Sequence, residues 1–204
     1  MLPSTVMESV IQLFVFSIMP FIWWAFTARK KMNFIEWIGI VKPNVVTKTE
    51  FTKIIVAALL LLLIPGIYLI LSFNDKSMIA TSRFAGTGVI GFISALIFAF
   101  IQTGLAEEIL FRGFLNKRIS NKFGFTIGNS VQAALFGLLH GVLLFTRVSP
   151  FIAAGVIIFT FAAGWIMGYI NEKLAGGSII PSWAVHGIVN LISASVFILG
   201  IIKP

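Results

Sequence analysis

Residues 54–73 read IIVAALLLLLIPGIYLILSF, twenty consecutive residues without a charge. A helix rises about 1.5 Å per residue, so this run matches the hydrocarbon thickness of a bilayer. Working outward, comparable apolar stretches fall at about Ser9 to Thr27, Val89 to Leu115, Asn129 to Phe145, Phe151 to Ile170 and Ser178 to Ile202. The chain is 58% hydrophobic and only 11% charged, with a mean hydropathy of +1.03. Such a composition holds far more apolar surface than a soluble domain of 204 residues could bury. The expected fold is an all-α polytopic transmembrane bundle of about six spans, forming one integral membrane domain over residues 1–204 with no separate soluble domain.

Charge sets the expected orientation. Arg29, Lys30 and Lys31 follow the first span and no basic residue precedes it, the reverse of a cleavable signal peptide. With the N-terminus outside, the cytoplasmic side receives Arg29, Lys30, Lys31, Lys42, Lys48, Lys53, Arg112, Lys117, Arg118, Lys122 and Lys173. The other side receives only Lys76, Arg83, Arg147 and Lys203, which agrees with the excess of basic residues in cytoplasmic loops. The net charge of +8 is therefore read as topology signals and contact with anionic lipid, and no nucleic-acid partner is expected. The loop from Ala28 to Lys53 mixes Phe34, Trp37 and Ile38 with charges and is expected to lie along the cytoplasmic interface. The stretch Asn116 to Gly128 is expected to be a basic turn between two spans.

Ionisable residues inside spans are rare and expensive, about 2.5 to 3.5 kcal/mol for a charge at the helix centre, and mark function by default. Among seven acidic residues, Glu107 and Glu108 sit in the apolar run Leu105 to Leu115, and both histidines, His140 and His186, fall inside expected spans with Asn190. Counted from the cytoplasmic ends of their helices, at Lys117, Asn129 and Ser178, Glu107, His140 and His186 lie roughly 15, 16 and 12 Å deep, as one shared site requires. Glu108 with Arg112, and His186 with Asn190, are four residues apart and share a helix face. Glu107 is about 100° round the helix from Glu108, so the two carboxylates need not share a role. Taken singly, the Glu108–Arg112 pair reads also as a plain ion pair, and each histidine or Asn190 as an interhelical hydrogen-bonding residue.

Cysteine is absent, which excludes a thiol nucleophile and thiolate metal sites. Asp75, in a loop, is the only aspartate, too few for an aspartyl dyad. Ser182 precedes His186 by four residues but lacks a nucleophile-elbow setting, and no His-Glu-x-x-His motif is present.

The ordered set Glu107-Glu108-x-x-x-Arg112, Phe136-x-x-x-His140 and His186-x-x-x-Asn190 resembles the motifs of the CAAX protease and bacteriocin-processing family of intramembrane peptidases, also called the Abi family. The resemblance covers about residues 89–202. It implies that Glu107 activates a water which His140 helps to hold, that His186 and Asn190 stabilise the oxyanion, and that Glu108 and Arg112 orient the first group. The implied reaction is hydrolysis of a peptide bond in a membrane-associated peptide or protein, of CAAX type or of bacteriocin or pheromone type; the small size of the chain points to a bacterial plasma membrane. Expected partners are the peptide or protein substrate and the lipid bilayer. No cofactor is favoured, because glutamate-and-water chemistry needs none. A zinc-dependent version with His140, His186 and Glu107 or Glu108 as ligands stays open, as do a non-catalytic self-immunity protein and a proton-coupled transporter.

Overall fold

The computed structural model describes residues 1–45 and 47–204. Among these the regular structure is helical: α1 is Leu2–Thr27, α2 Phe34–Trp37, α3 Lys48–Ser72, α4 Gly88–Phe123, α5 Phe125–Val142, α6 Pro150–Leu174 and α7 Ile180–Ile198. Five of them, α1, α3, α4, α6 and α7, are long and apolar enough to cross a membrane. The sixth expected span is α5, whose 18 residues include Asn129, Gln132 and His140. Short 3₁₀ turns at Lys76–Met78 and Ala80–Phe84 link α3 to α4. At the first of these, Asp75 accepts from the Ser77 amide and hydroxyl, and both bonds hold its carboxyl below the usual carboxylate range.

The bundle is dressed for lipid. Along α1, Met7, Val10, Phe14 and Ile18 are exposed, as are Leu60, Ile64 and Tyr68 on α3, and in a bilayer such side chains need no protein partner. The interior combines clusters of large apolar side chains with small residues and with polar groups bonded to one another. Helices α5 and α6 form the closest pair. A Cβ on Gly137 would meet the Ile157 carbonyl, and one on Gly164 would touch Ala133 at 3.2 Å, so glycine sets the approach, as is usual between membrane helices.

Several boundaries differ from expectation. The basic segment expected as a turn over Asn116–Gly128 is helical: α4 runs on to Phe123, and a single residue, Gly124 at φ +86°, reverses the chain before α5 begins. Lys117 carries the helix on because its Nζ is held by Glu172 at 2.6 Å and by the Gly177 carbonyl at 2.6 Å. Arg118 lies over the Trp37 ring at 4.0 Å. α1 begins at Leu2 rather than near Ser9, with Pro3 in its first turn, where a missing N–H costs nothing. α3 begins six residues early because Lys48, Glu50 and Lys53 form an exposed polar first turn.

The Ala28 to Lys53 loop is not simply laid on an interface. Residues 33–44 cross the basic end of the bundle as a strap, with Trp37 and Ile38 buried against Ile109, Phe114 and Ile179. Backbone bonds from Ile179 to Gly39 (2.8 Å) and from Asn44 to Ala175 (3.1 Å) fasten it. Gly39 turns at φ +87°, a conformation that favours glycine. On α4, Gly113 leaves room for the Ile38 carbonyl, which a Cβ there would meet at 2.6 Å.

Winding of the long helix positions the site. Residues 98–105 and 109–116 of α4 are wound as wide π turns, as are residues 170–174 of α6. Such turns are uncommon and concentrate at functional sites.

Candidate active site

Glu107 and Glu108 sit on the short α-helical link between the two π-wound stretches of α4. They have different surroundings. Glu108 is fully buried and saturated with donors. Its Oε1 lies 3.1 Å from Arg112 Nη1 and 3.2 Å from His186 Nδ1, and its Oε2 accepts from the Ser182 hydroxyl. Ser182 is itself fixed by Asn171, whose Nδ2 donates to Oγ at 2.7 Å and whose Oδ1 accepts from the Ser182 amide at 3.3 Å. A chain Asn171–Ser182–Glu108–His186 thus runs through the protein interior from α6 to α7 by way of α4.

Arg112 is also fully buried. Its guanidinium meets Glu108 as a charge contact rather than an aligned hydrogen bond and covers the Phe136 ring at 4.3 Å. The same ring touches His140, with centroids 4.5 Å apart, and presents an edge to His186 at 6.0 Å. Phe136 is therefore the apolar post around which Arg112, His140 and His186 are arranged.

Glu107 is turned the other way. It is 7% exposed, and its Oε2 has no hydrogen-bond partner among the described residues. It lines a cleft of about 460 Å³ between α1, α4 and α5, which His140 also lines. His186 Nε2 approaches Glu107 Oε2 at 3.7 Å. The imidazole orientations follow from their fixed partners. His140 Nδ1 faces the Phe136 carbonyl at 2.8 Å and His186 Nδ1 faces Glu108. Both partners only accept, so each Nδ1 carries the proton and each Nε2 is the free atom.

Asn190 lies elsewhere. Its Nδ2 donates to Thr103 Oγ1 at 2.9 Å, and it borders a second, apolar cavity of about 530 Å³ between α3, α5, α6 and α7. His140 lines both cavities. Of the six residues singled out in the sequence, Glu108 touches Arg112 and His186, and His186 approaches Glu107. His140 joins them through Phe136 and the cleft, and Asn190, one turn beyond His186 on α7, turns to Thr103 and to the second cavity, which it shares with His140.

Several interior partners escape a sequence reading. Ser182 and Asn171 are fully buried beside Glu108. On the far side of Arg112, the amides of Asn129 and Gln132 tie α5 to α6 by donating to the carbonyls of Trp165 and Gly164, each at 2.9 Å. Trp183 Nε1 donates to the Phe100 carbonyl at 2.6 Å. The one visible signal was that Asn129 and Gln132 stand three apart within a span.

Among the described residues no three His, Asp or Glu side chains converge to hold a metal ion, and Glu108 and both Nδ1 atoms are committed elsewhere.

Fold and site together define an integral membrane protein with a buried Glu–Glu–Arg–His centre opening on an intramembrane cleft. A family model described as type II CAAX prenyl endopeptidase Rce1-like matches residues 89–192, slightly over half of the chain, and the chain belongs to that family. Searches of curated proteins and of solved structures found no match.

Proposed function

We propose that this protein is an intramembrane endopeptidase that hydrolyses a peptide bond of a membrane-associated peptide or protein with a water activated by Glu107. The observation that carries this reading is the division of labour between adjacent carboxylates. Glu108 is consumed by Arg112, His186 and Ser182, whereas Glu107, whose buried Oε2 has no hydrogen-bond partner among the described residues, lines a cleft shared with His140.

Amide hydrolysis needs a base for the attacking water, donors for the developing oxyanion and a proton for the leaving amine. Glu107 takes one proton of the water as its oxygen attacks the carbonyl carbon, while the free Nε2 of His140 accepts a hydrogen bond from the O–H that stays on that oxygen and so orients it. The tetrahedral intermediate collapses as Glu107 returns the proton to the leaving nitrogen. His186 Nε2 donates to the oxyanion when the ring is doubly protonated, with Glu108 holding the opposite edge. Asn190 adds its amide once released from Thr103. Arg112 sets a guanidinium against the buried Glu108 carboxylate, so that neither group is left alone in the interior. No step passes through a metal.

Family membership supports a prenylated CAAX-type substrate; a bacteriocin or pheromone precursor is the other candidate of the same class. The excess of basic residues at the Lys117 end supports an orientation with the N-terminus outside. The test is cleavage of a library of membrane-associated peptides by purified protein in lipid, read by mass spectrometry, beside Glu107→Gln and His140→Ala and with and without a strong chelator. Cleavage by the wild type alone, unchanged by chelator, supports the proposal. Cleavage lost to chelator and restored by zinc overturns the metal-free mechanism, and cleavage surviving Glu107→Gln overturns the role of Glu107.

A further inference from the structure

α1 is apolar on the outside and polar within. Thr5, Glu8, Ser9 and Gln12 recur at spacings of three and four and so form one stripe. Thr5 and Ser9 are buried and spend their hydroxyls on carbonyls one turn back. Glu8 and Gln12 instead border the cleft that holds Glu107 and His140.

Across the cleft, α4 contributes Gln102 and Glu107. Five residues along a regular α-helix are about 140° out of phase, so these two side chains would ordinarily face apart. The π winding of residues 98–105 adds residues to the turn and brings both to the cleft. Gln102 is nine-tenths buried; its Oε1 accepts from Arg83 Nη2 at 3.2 Å, whereas its amide nitrogen reaches Gln12 Oε1 and Glu8 Oε2 only at 3.4 and 3.5 Å, the long limit of a hydrogen bond, so its N–H groups are the part left to pair with a peptide carbonyl. Glu8 is already neutralised by Arg83 at 2.8 Å, so this part of the cleft offers amides rather than a net charge.

The geometry points to this cleft as a binding site for the main chain of an extended polypeptide, with the Gln12 and Gln102 amides pairing with peptide N–H and C=O groups on one side of the bond that Glu107 and His140 attack. The inference rests on the peptidase reading for the position of that bond. Primary amides both donate and accept, as a peptide main chain does, and a peptide entering a membrane interior must have its polar groups satisfied. Gln102 precedes Glu107 by five residues, about 7 Å along the helix. That is the length of about two extended residues, so the contact falls about two residues from the cleaved bond.

The experiment places a photo-crosslinking residue at position 12 of the Glu107→Gln protein in lipid bilayers, with position 14 as control, since Phe14 lies on the lipid-facing side of the same helix. The probe is a library of biotinylated membrane-associated peptides. Label transfer at position 12 and not at 14 is expected. In the otherwise wild-type chain, Gln12→Leu and Gln102→Leu are expected to raise KM about three- to tenfold at unchanged kcat, and to leave unchanged the KM of peptides shortened to end before the two-residue point. Equal labelling at both positions, or an unchanged KM in both variants, overturns the site. Wild-type cleavage without label at position 12 overturns the site and leaves the peptidase standing. Label at position 12 without any wild-type cleavage overturns the peptidase and leaves the peptide site standing.

Discussion

Replacing Arg112 by methionine removes the guanidinium in contact with Glu108 while keeping an unbranched apolar stem beside Phe136. Both charged side chains are 0% exposed, so the loss is that of one partner from a fully buried pair, which typically costs 3 to 5 kcal/mol. The lower end applies here, because Ser182 and His186 still donate to the stranded carboxylate. A loss of about 3 kcal/mol in a chain of this size corresponds to roughly 6 to 12 °C in Tm. Thermal unfolding in one fixed detergent, followed by intrinsic tryptophan fluorescence, measures it. The double variant Glu108→Gln/Arg112→Met should recover most of the stability, since no charge is then stranded, yet remain inactive. An Arg112→Met protein melting within about 2 °C of wild type would refute the claim that this pair is a desolvated, mutually dependent unit.

Other outcomes follow from the same geometry. Ser182→Ala removes a hydrogen bond to a buried charge, worth about 1.5 to 3 kcal/mol; the account expects kcat to fall ten- to a hundredfold with KM little changed, and Ser182→Thr to restore most of it. Gly113→Ala forces a Cβ against the Ile38 carbonyl and should cost about 1 to 3 kcal/mol of stability, with faster proteolysis of the strap at residues 33–44. His140→Ala should lower kcat without lowering Tm by more than a few degrees, because its only hydrogen bond is to the carbonyl one turn back on its own helix; circular dichroism melts beside turnover assays separate the two effects.

The apolar runs and their spacing made the helical membrane bundle legible, because a bilayer demands about twenty apolar residues per span whatever the neighbours are. The Glu108–Arg112 contact was equally legible, since four-residue spacing brings the two together even at the edge of a π-wound stretch. What the spacing could not convey was the winding itself. Gln102 and Glu107 look out of phase until the π turns of α4 are known, and the polar stripe of α1 was cut in two by an expected span that began at Ser9. Asn171, and the role of Ser182, which the sequence offered only as a nucleophile, stayed hidden for another reason. A serine or asparagine in a span normally bonds its own helix or a neighbour, and only the assembled bundle shows that this pair ends on Glu108. The strap was misjudged because its aromatic residues fit a lipid interface as well as a protein one. The choice is made by Gly39 and Gly113, which let its backbone close on α4 and on the start of α7.

The central claim, that Glu107 is the base and Glu108 its support, is tested most directly by Glu107→Gln on a peptide that the wild type cleaves. Because Glu107 Oε2 has no hydrogen-bond partner to lose, the variant is predicted to melt within about 2 °C of wild type while turnover falls at least a hundredfold. Turnover within tenfold of wild type, from a protein equally well folded, would contradict it.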